Sequence, residues 1–416
     1  MSMTYDDFRK LGIKIDMTRG KPSSEQLDLS SDALANALKA GEFMSRDGID
    51  CRNYGHALGL PEARELGADL LGTALEQVVA AGNSSLELMH DAMAFAVLHG
   101  MADGRPWRNE GDIAFLCPVP GYDRHFSICA ALGVRMIPVP LTGNGPDMDF
   151  VEAQVAADPA IKGIWCVPLY SNPTGEIYSA DTIHRLASMP TAAADFRLFW
   201  DDAYRFHHLT ERKHATLNMI DACAAAGHPD RALVFASLSK ITVAGAALAF
   251  VASSRRNIDW WQRCSSIRTI GPDKLNQLRH VRFLRDRQAL EGLMERHRAL
   301  LRPKFDAMTT TFTEILADLP DVSWTVPQGG YFISLYSPDG LAKRTVALAA
   351  DAGIAMTPAG AAFPHGLDPR DRHLRVAPTF PSLDEVKRAA LGIALSLRRA
   401  FEERGELSAE AVPGAA

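Results

Sequence analysis

Between residues 55 and 250 the chain repeats one pattern: a helical stretch, then a short, almost wholly apolar segment. The segments are Ile113-Ala-Phe-Leu-Cys117, Arg135-Met-Ile-Pro-Val139, Ile164-Trp-Cys-Val167, Arg197-Leu-Phe-Trp200 and Leu233-Val-Phe235. Strands without a polar face cannot leave one side in water, so both faces of their sheet must be covered. Helices between successive strands supply that cover and make the sheet mostly parallel, an α/β architecture. Ligands of such sheets sit beyond the carboxyl ends of the strands, and the polar residues of interest fall there.

Lys240 interrupts the run Ala232-Leu-Val-Phe-Ala-Ser-Leu-Ser-Lys-Ile-Thr-Val-Ala-Gly-Ala-Ala-Leu-Ala-Phe-Val251, in which nothing else carries charge. An ammonium costs several kcal/mol to bury unless it is paired or neutralised. Burial also favours the neutral amine, the form that condenses with a carbonyl to give a Schiff base. The alternative is a lysine at a tight turn that reaches water.

Three clusters accompany it. Ser171-Asn-Pro-Thr-Gly175 is a turn-rich loop that sets the Asn172 amide at the sheet edge. Asp201-Asp-Ala-Tyr204 begins where an internal strand ends, so Asp201 is either a partly desolvated carboxylate wanting a cation or an ordinary helix cap. Gly82-Asn-Ser-Ser-Leu-Glu-Leu-Met89 opens a helix, where Ser84 and Ser85 either hold an anion or merely cap it.

The net charge of −6, with no basic stripe, argues against a nucleic-acid partner. The polar start Met1-Ser-Met-Thr-Tyr-Asp-Asp-Phe-Arg-Lys10 has no signal-peptide core, and no long uncharged apolar stretch would span a membrane. Cys51, Cys117, Cys129, Cys166, Cys223 and Cys264 lack metal-ligand spacing and read as buried free thiols in a reducing, cytoplasmic setting. From Asp273 to about Leu319 the pattern is helical and charged, with a break expected at Arg302-Pro303. Residues 322–380 mix short strands with glycine turns. A last helix starts at the capping box Ser382-Leu-Asp-Glu385 and buries Val386, Ala390, Ile393, Leu397 and Phe401, and the tail Ser408–Ala416 is expected to fray.

The ordered clusters Ser-Asn-Pro-Thr-Gly175, Asp201-x-Ala-Tyr204 and Ser237-x-Ser-Lys240 resemble those of the class I/II pyridoxal-phosphate-dependent aminotransferases of fold type I. Asp16-Met-Thr-Arg-Gly-Lys-Pro22, Tyr54-Gly-His-Ala-Leu-Gly-Leu-Pro61, Gly82-Asn-Ser-Ser-Leu86 and Thr269-Ile-Gly-Pro-Asp-Lys274 look like the aspartate aminotransferase branch related to the aminotransferase domains of MocR-type regulators.

The resemblance implies a large domain (51–285) with a mostly parallel seven-stranded sheet. It also implies a smaller α+β domain from the N-terminal segment (1–50) and residues 286–416. Lys240 would form the Schiff base with pyridoxal 5'-phosphate and move the Cα proton, and Asp201 would keep the ring nitrogen protonated. Tyr204 and Asn172 would donate to the ring oxygen, and Tyr122 would stack on the ring. Ser84, Ser85 and Ser237 would take the phosphate, Arg375 the substrate α-carboxylate. Gly20 would lie where the N-terminal segment closes, and Tyr54 would reach the neighbouring subunit's cofactor, making a homodimer. Most of the superfamily carries a phosphate-binding arginine where this chain has Ala247 and Leu248, so that either Lys274 or Arg268 compensates or the cofactor is held more weakly. Arg268, with Lys274 and Arg19 as competitors, would bind a side-chain carboxylate.

The implied reaction moves an amino group between an amino acid, foremost aspartate or glutamate, and a 2-oxo acid, 2-oxoglutarate or oxaloacetate, in amino acid metabolism. Alanine, kynurenine or an aromatic donor, a fold type I lyase, and a non-catalytic sensor domain are the alternatives. The sensor would need a basic winged-helix segment ahead of Thr18-Arg-Gly20, for which the chain as read leaves no room.

Overall fold

A computed structural model describes residues 3–38, 41–102 and 104–405. Its centre is a seven-stranded sheet in the order Val78–Ala80, Ala249–Ser253, Ala232–Ser237, Arg197–Asp201, Ile161–Cys166, Ala114–Val119 and Arg135–Pro140. The strand Ala249–Ser253 runs antiparallel to both neighbours, and the other pairings are parallel. Every residue of Ile161–Cys166 and Arg197–Asp201 is buried, as two-sided cover demands. Beyond the five segments marked by their apolar runs, the sheet gains Ala249–Ser253 and, at one edge, Val78–Ala80, a strand of three residues.

Two cores line the faces of this sheet. A third draws Tyr5, Phe8, Ile15 and Met17 from the start of the chain together with Leu301–Phe401 from its end. Its framework is a parallel pair, Ile15–Met17 on Ile354–Met356, and an antiparallel sheet ordered His373–Val376, Ile333–Tyr336, Ser323–Trp324. The helix Leu383–Glu403 packs across it, and its Ser382–Glu385 capping box is formed.

The long helical stretch breaks elsewhere than expected. One helix spans Lys274–Leu284, and a second runs unbroken from Arg287 to Leu316, with Pro303 inside it. The interruption falls at Arg285, whose φ is 57°. Pro303 forfeits one backbone hydrogen bond, but Leu301, Phe305, Met308 and Phe312 are all buried on either side, and that packing carries the helix through. The six cysteines are free and buried. The tail from Ser408 lies outside the described residues.

Candidate active site

The strand ends deliver their side chains into one cleft of about 220 Å³. It is lined by Gly20, Ser84, Ser85, Tyr122, Asn172, Asp201, Tyr204 and Lys240, together with Lys21, Pro22, Leu86, Val167, Ala203, Ser239 and Ala244. Asp201 is the last residue of its strand, and Lys240 follows the neighbouring strand through a short turn. Asn172 and Tyr122 occupy the loops after the next two strands. Ser84 caps the fifteen-residue helix Ser85–His99, accepting the Leu86 amide at 3.2 Å, so the positive end of that helix faces the cleft.

Asp201 is 3% exposed, and its two oxygens are treated differently. Oδ2 lies 3.1 Å from His125 Nε2, whose ring stacks on Trp165 at 4.3 Å. Oδ1 is buried without a hydrogen-bond partner among the described residues. A buried carboxylate oxygen left this way carries a desolvation penalty that a cationic donor would remove. Asn172 Oδ1 is orphaned likewise.

Lys240 is partly buried, with Nζ 5.1 Å from the centre of the Tyr204 ring. Desolvation lowers its pKa from that of a free lysine, and the charge of Asp201 opposes the shift. Burial pushes the Tyr204 and Tyr122 hydroxyls well above 10, aided by the nearby carboxylates, so both keep their protons and remain donors.

Ser237, Arg375, Tyr54, Arg268, Lys274 and Arg19 are not among the residues lining this cleft. Ser237 ends its strand, 2.8 Å from the cleft-lining Ser239 hydroxyl. Arg375, 8% exposed, is held by Asp123 at 2.8 Å and lies 5.2 Å from the Phe332 ring centre. Gly20 abuts the same ring: a Cβ there would fall 2.4 Å from Phe332 Cζ. Tyr54 is 79% exposed and outside the cleft of its own chain. Arg268 pairs with Asp91 at 2.9 Å and Glu87 at 3.7 Å. Lys274 is buried with Nζ 3.1 Å from the Gly55 carbonyl oxygen. Arg19 is exposed. Ala247 and Leu248 are buried in the apolar core.

Sequence reasoning passed over His125 and Lys21. The signal for His125 was its place directly after Tyr122-Asp-Arg124. Lys21 was visible as the lysine next to Gly20, and its Nζ sits 3.7 Å over the Phe380 ring.

Solved structures with this architecture are aminotransferases of fold type I. One is the α-aminoadipate aminotransferase of Thermus thermophilus, complexed with N-(5'-phosphopyridoxyl)-L-leucine, at TM-score 0.77 and 20% identity over 94% of this chain and 93% of that one. The chain belongs to the aspartate aminotransferase family, whose model matches residues 1–406. It is 44% identical over 400 residues to an aspartate aminotransferase of Corynebacterium glutamicum, covering 96% of this chain and 92% of that protein. The crystal structure of a C. glutamicum aspartate transaminase superposes at TM-score 0.93, with 44% identity over 96% of this chain and 94% of that one.

Proposed function

We propose that this chain is a pyridoxal-phosphate-dependent aspartate aminotransferase working between aspartate or glutamate and 2-oxoglutarate or oxaloacetate. The observation that carries the reading is a buried carboxylate with one oxygen spare, Asp201, in the same cleft as a lysine whose charge is disfavoured, Lys240.

These residues fit the cofactor of the family. When bound, pyridoxal phosphate supplies a carbonyl that condenses with amines and a ring that takes up the electron pair left as a Cα–H bond breaks. Asp201 Oδ1 would hold a proton on the ring nitrogen while His125 fixes Oδ2. Tyr204 and Asn172 would donate to the ring oxygen, and Tyr122 would cover a ring face. Ser84, Ser85, Ser237 and the helix N-terminus would receive the phosphate, with Arg268 or Lys274 as the compensating cation.

Lys240 would carry the cofactor and move the proton at substrate Cα, a task for a neutral amine. Arg375 would grip the α-carboxylate, exchanging Asp123 for it. The segment around Gly20 would cover the substrate and exclude water. Arg268 is the proposed contact for a side-chain carboxylate across a homodimer interface. Exposed Tyr54, Ile267 and Ile270, at 79%, 75% and 64%, support such pairing.

The division into residues 1–50, 51–285 and 286–416 belongs to the same reading, supported by the separate core that joins both ends of the chain. Among the described residues no helix is long and apolar enough to cross a membrane. A cytoplasmic location is part of the proposal.

The test is a half-reaction screen. Each amino acid is added to the purified, coloured enzyme and loss of the visible band is followed, with borohydride fixing the cofactor to Lys240 for peptide mapping. Fastest conversion by aspartate and glutamate is expected. Label on another lysine would sink the assignment, and ammonia release without need of an oxo acid would make the enzyme a lyase.

A further inference from the structure

Three buried polar side chains behind the cleft lining meet the backbone that presents Lys240, and a fourth, Gln26, joins two of them. Tyr331 Oη lies 3.2 Å from the Lys240 carbonyl oxygen, and His207 Nε2 lies 3.4 Å from the same oxygen. His297 Nε2 sits 2.9 Å from the Ile241 carbonyl oxygen. Gln26 Nε2 is 3.0 Å from both Tyr331 Oη and His297 Nδ1, and Gln26 Oε1 accepts the Ser23 amide at 3.1 Å. Gln26, His297, Tyr331 and His207 are 0%, 1%, 1% and 3% exposed.

These bonds admit one arrangement of hydrogens. Carbonyl oxygens only accept, so Tyr331 donates to Lys240, and His297 donates through Nε2 to Ile241. Nδ1 of His297 is therefore an acceptor, and the Gln26 amide nitrogen supplies its two hydrogens to Nδ1 and Tyr331 Oη. The Gln26 oxygen is taken by Ser23. Burial holds His297 neutral, with its pKa lowered to about 4, so the arrangement persists at neutral pH.

Burying this much polarity is costly unless it is satisfied; among the described residues every polar side-chain atom of the four except His207 Nδ1 has a partner, and such a network fixes one geometry. Here the geometry fixed is that of two consecutive carbonyls, Lys240 and Ile241. Gln26 also lies in the helix Ser24–Ala35, which begins directly after the cleft-lining Gly20, Lys21 and Pro22. That segment is itself pinned, with Thr379 Oγ1 3.0 Å from the Lys21 carbonyl oxygen and Thr357 Oγ1 2.6 Å from that of Thr18.

We infer that Gln26, His297, Tyr331 and His207 are positioning residues for Lys240, and that Gln26 ties the seating of the segment over the cleft to the placement of the lysine. The inference rests on the proposed function, in which Lys240 carries the cofactor.

Tyr331→Phe removes one oxygen and keeps the ring packing, and Gln26→Leu cuts the network at its hub. In the cofactor-loaded enzyme, kcat should fall on the order of tenfold while KM for the amino donor stays within about threefold, the mark of lost alignment rather than lost binding. The pH midpoint of the visible band should move, as should the pH profile of Lys240 reductive methylation in cofactor-free protein, read by mass spectrometry. Unchanged kcat and unchanged midpoints in Tyr331→Phe would overturn the inference whatever Gln26→Leu does. So would a fall in activity matched by lost folded protein with both midpoints unmoved. Failure of wild-type enzyme to carry the band on Lys240 would instead overturn the proposed function.

Discussion

Asp201→Asn should act in opposite directions on the empty and the loaded protein. Asparagine keeps the shape of the side chain, and its carbonyl can still accept from His125, now 3.1 Å from Oδ2. In the cofactor-free protein the substitution removes a buried anion whose Oδ1 has no partner, so the melting temperature should hold or rise. In the loaded protein it removes a charge-assisted hydrogen bond, about 2 kcal/mol, or about thirtyfold in cofactor Kd. With free cofactor at about 100 times the wild-type Kd, binding stabilises the native state by about 2.7 kcal/mol, and after a thirtyfold loss by about 0.9 kcal/mol. The difference, about 1.8 kcal/mol, should appear as a shrunken loaded-minus-free melting shift in paired calorimetric scans. Titration of the visible band gives Kd independently. Wild-type Kd with an unchanged ligand-induced shift would refute the role assigned to Oδ1, and equal destabilisation of both forms would make Asp201 a structural residue.

Arg375→Ala removes a buried guanidinium, so kcat/KM should fall by about 3 kcal/mol, more than a hundredfold; an unaltered KM for both amino donor and oxo acceptor would place the α-carboxylate elsewhere. Arg268→Gln should reduce turnover of aspartate far more than of alanine, whereas equal losses would leave its pairs with Asp91 and Glu87 as its whole contribution. Buried His297 and His373 have pKa values lowered to about 4 and about 3, so below pH 6.5 the unfolded chain binds protons that the native state refuses. Stability should therefore drain away as pH falls from 6.5, by up to about 3 kcal/mol for His297. His297→Gln should flatten the denaturation midpoint's dependence between pH 6.5 and 4, and an identical slope would contradict the shift.

The sheet was legible because its inner strands are buried on both sides, and a nearly apolar run of strand length between helices admits few other readings, even at the edge strand Arg135–Pro140, which is largely uncovered. The same rule put Asp201 and Asn172 at the carboxyl ends, and the structure brings them into one cleft with Lys240. Val78–Ala80 was missed because three residues carry no period. Pro303 misled because its local cost is small beside the apolar surface that the flanking turns bury, while Arg285, where the chain does turn, has no residue type that announces a positive φ. The bonds from Gln26 to His297 and Tyr331 were beyond any local pattern, since they join positions 271 and 305 residues apart.

Lys240 and Asp201 also explain each other. Burial pushes the lysine toward the neutral form, and the aspartate charge pulls it back. An ammonium stabilised by Asp201 loses that support once the carboxylate is engaged by another cation. A ring nitrogen bearing a proton would be such a cation, so the arrival of the cofactor would itself weaken the hold on the lysine's charge. Asp201 would then have two linked effects, keeping the ring electron-poor and leaving the amine free to take a proton. The orphaned Oδ1 would permit this exchange, because an aspartate satisfied on both oxygens would have nothing left to offer the ring.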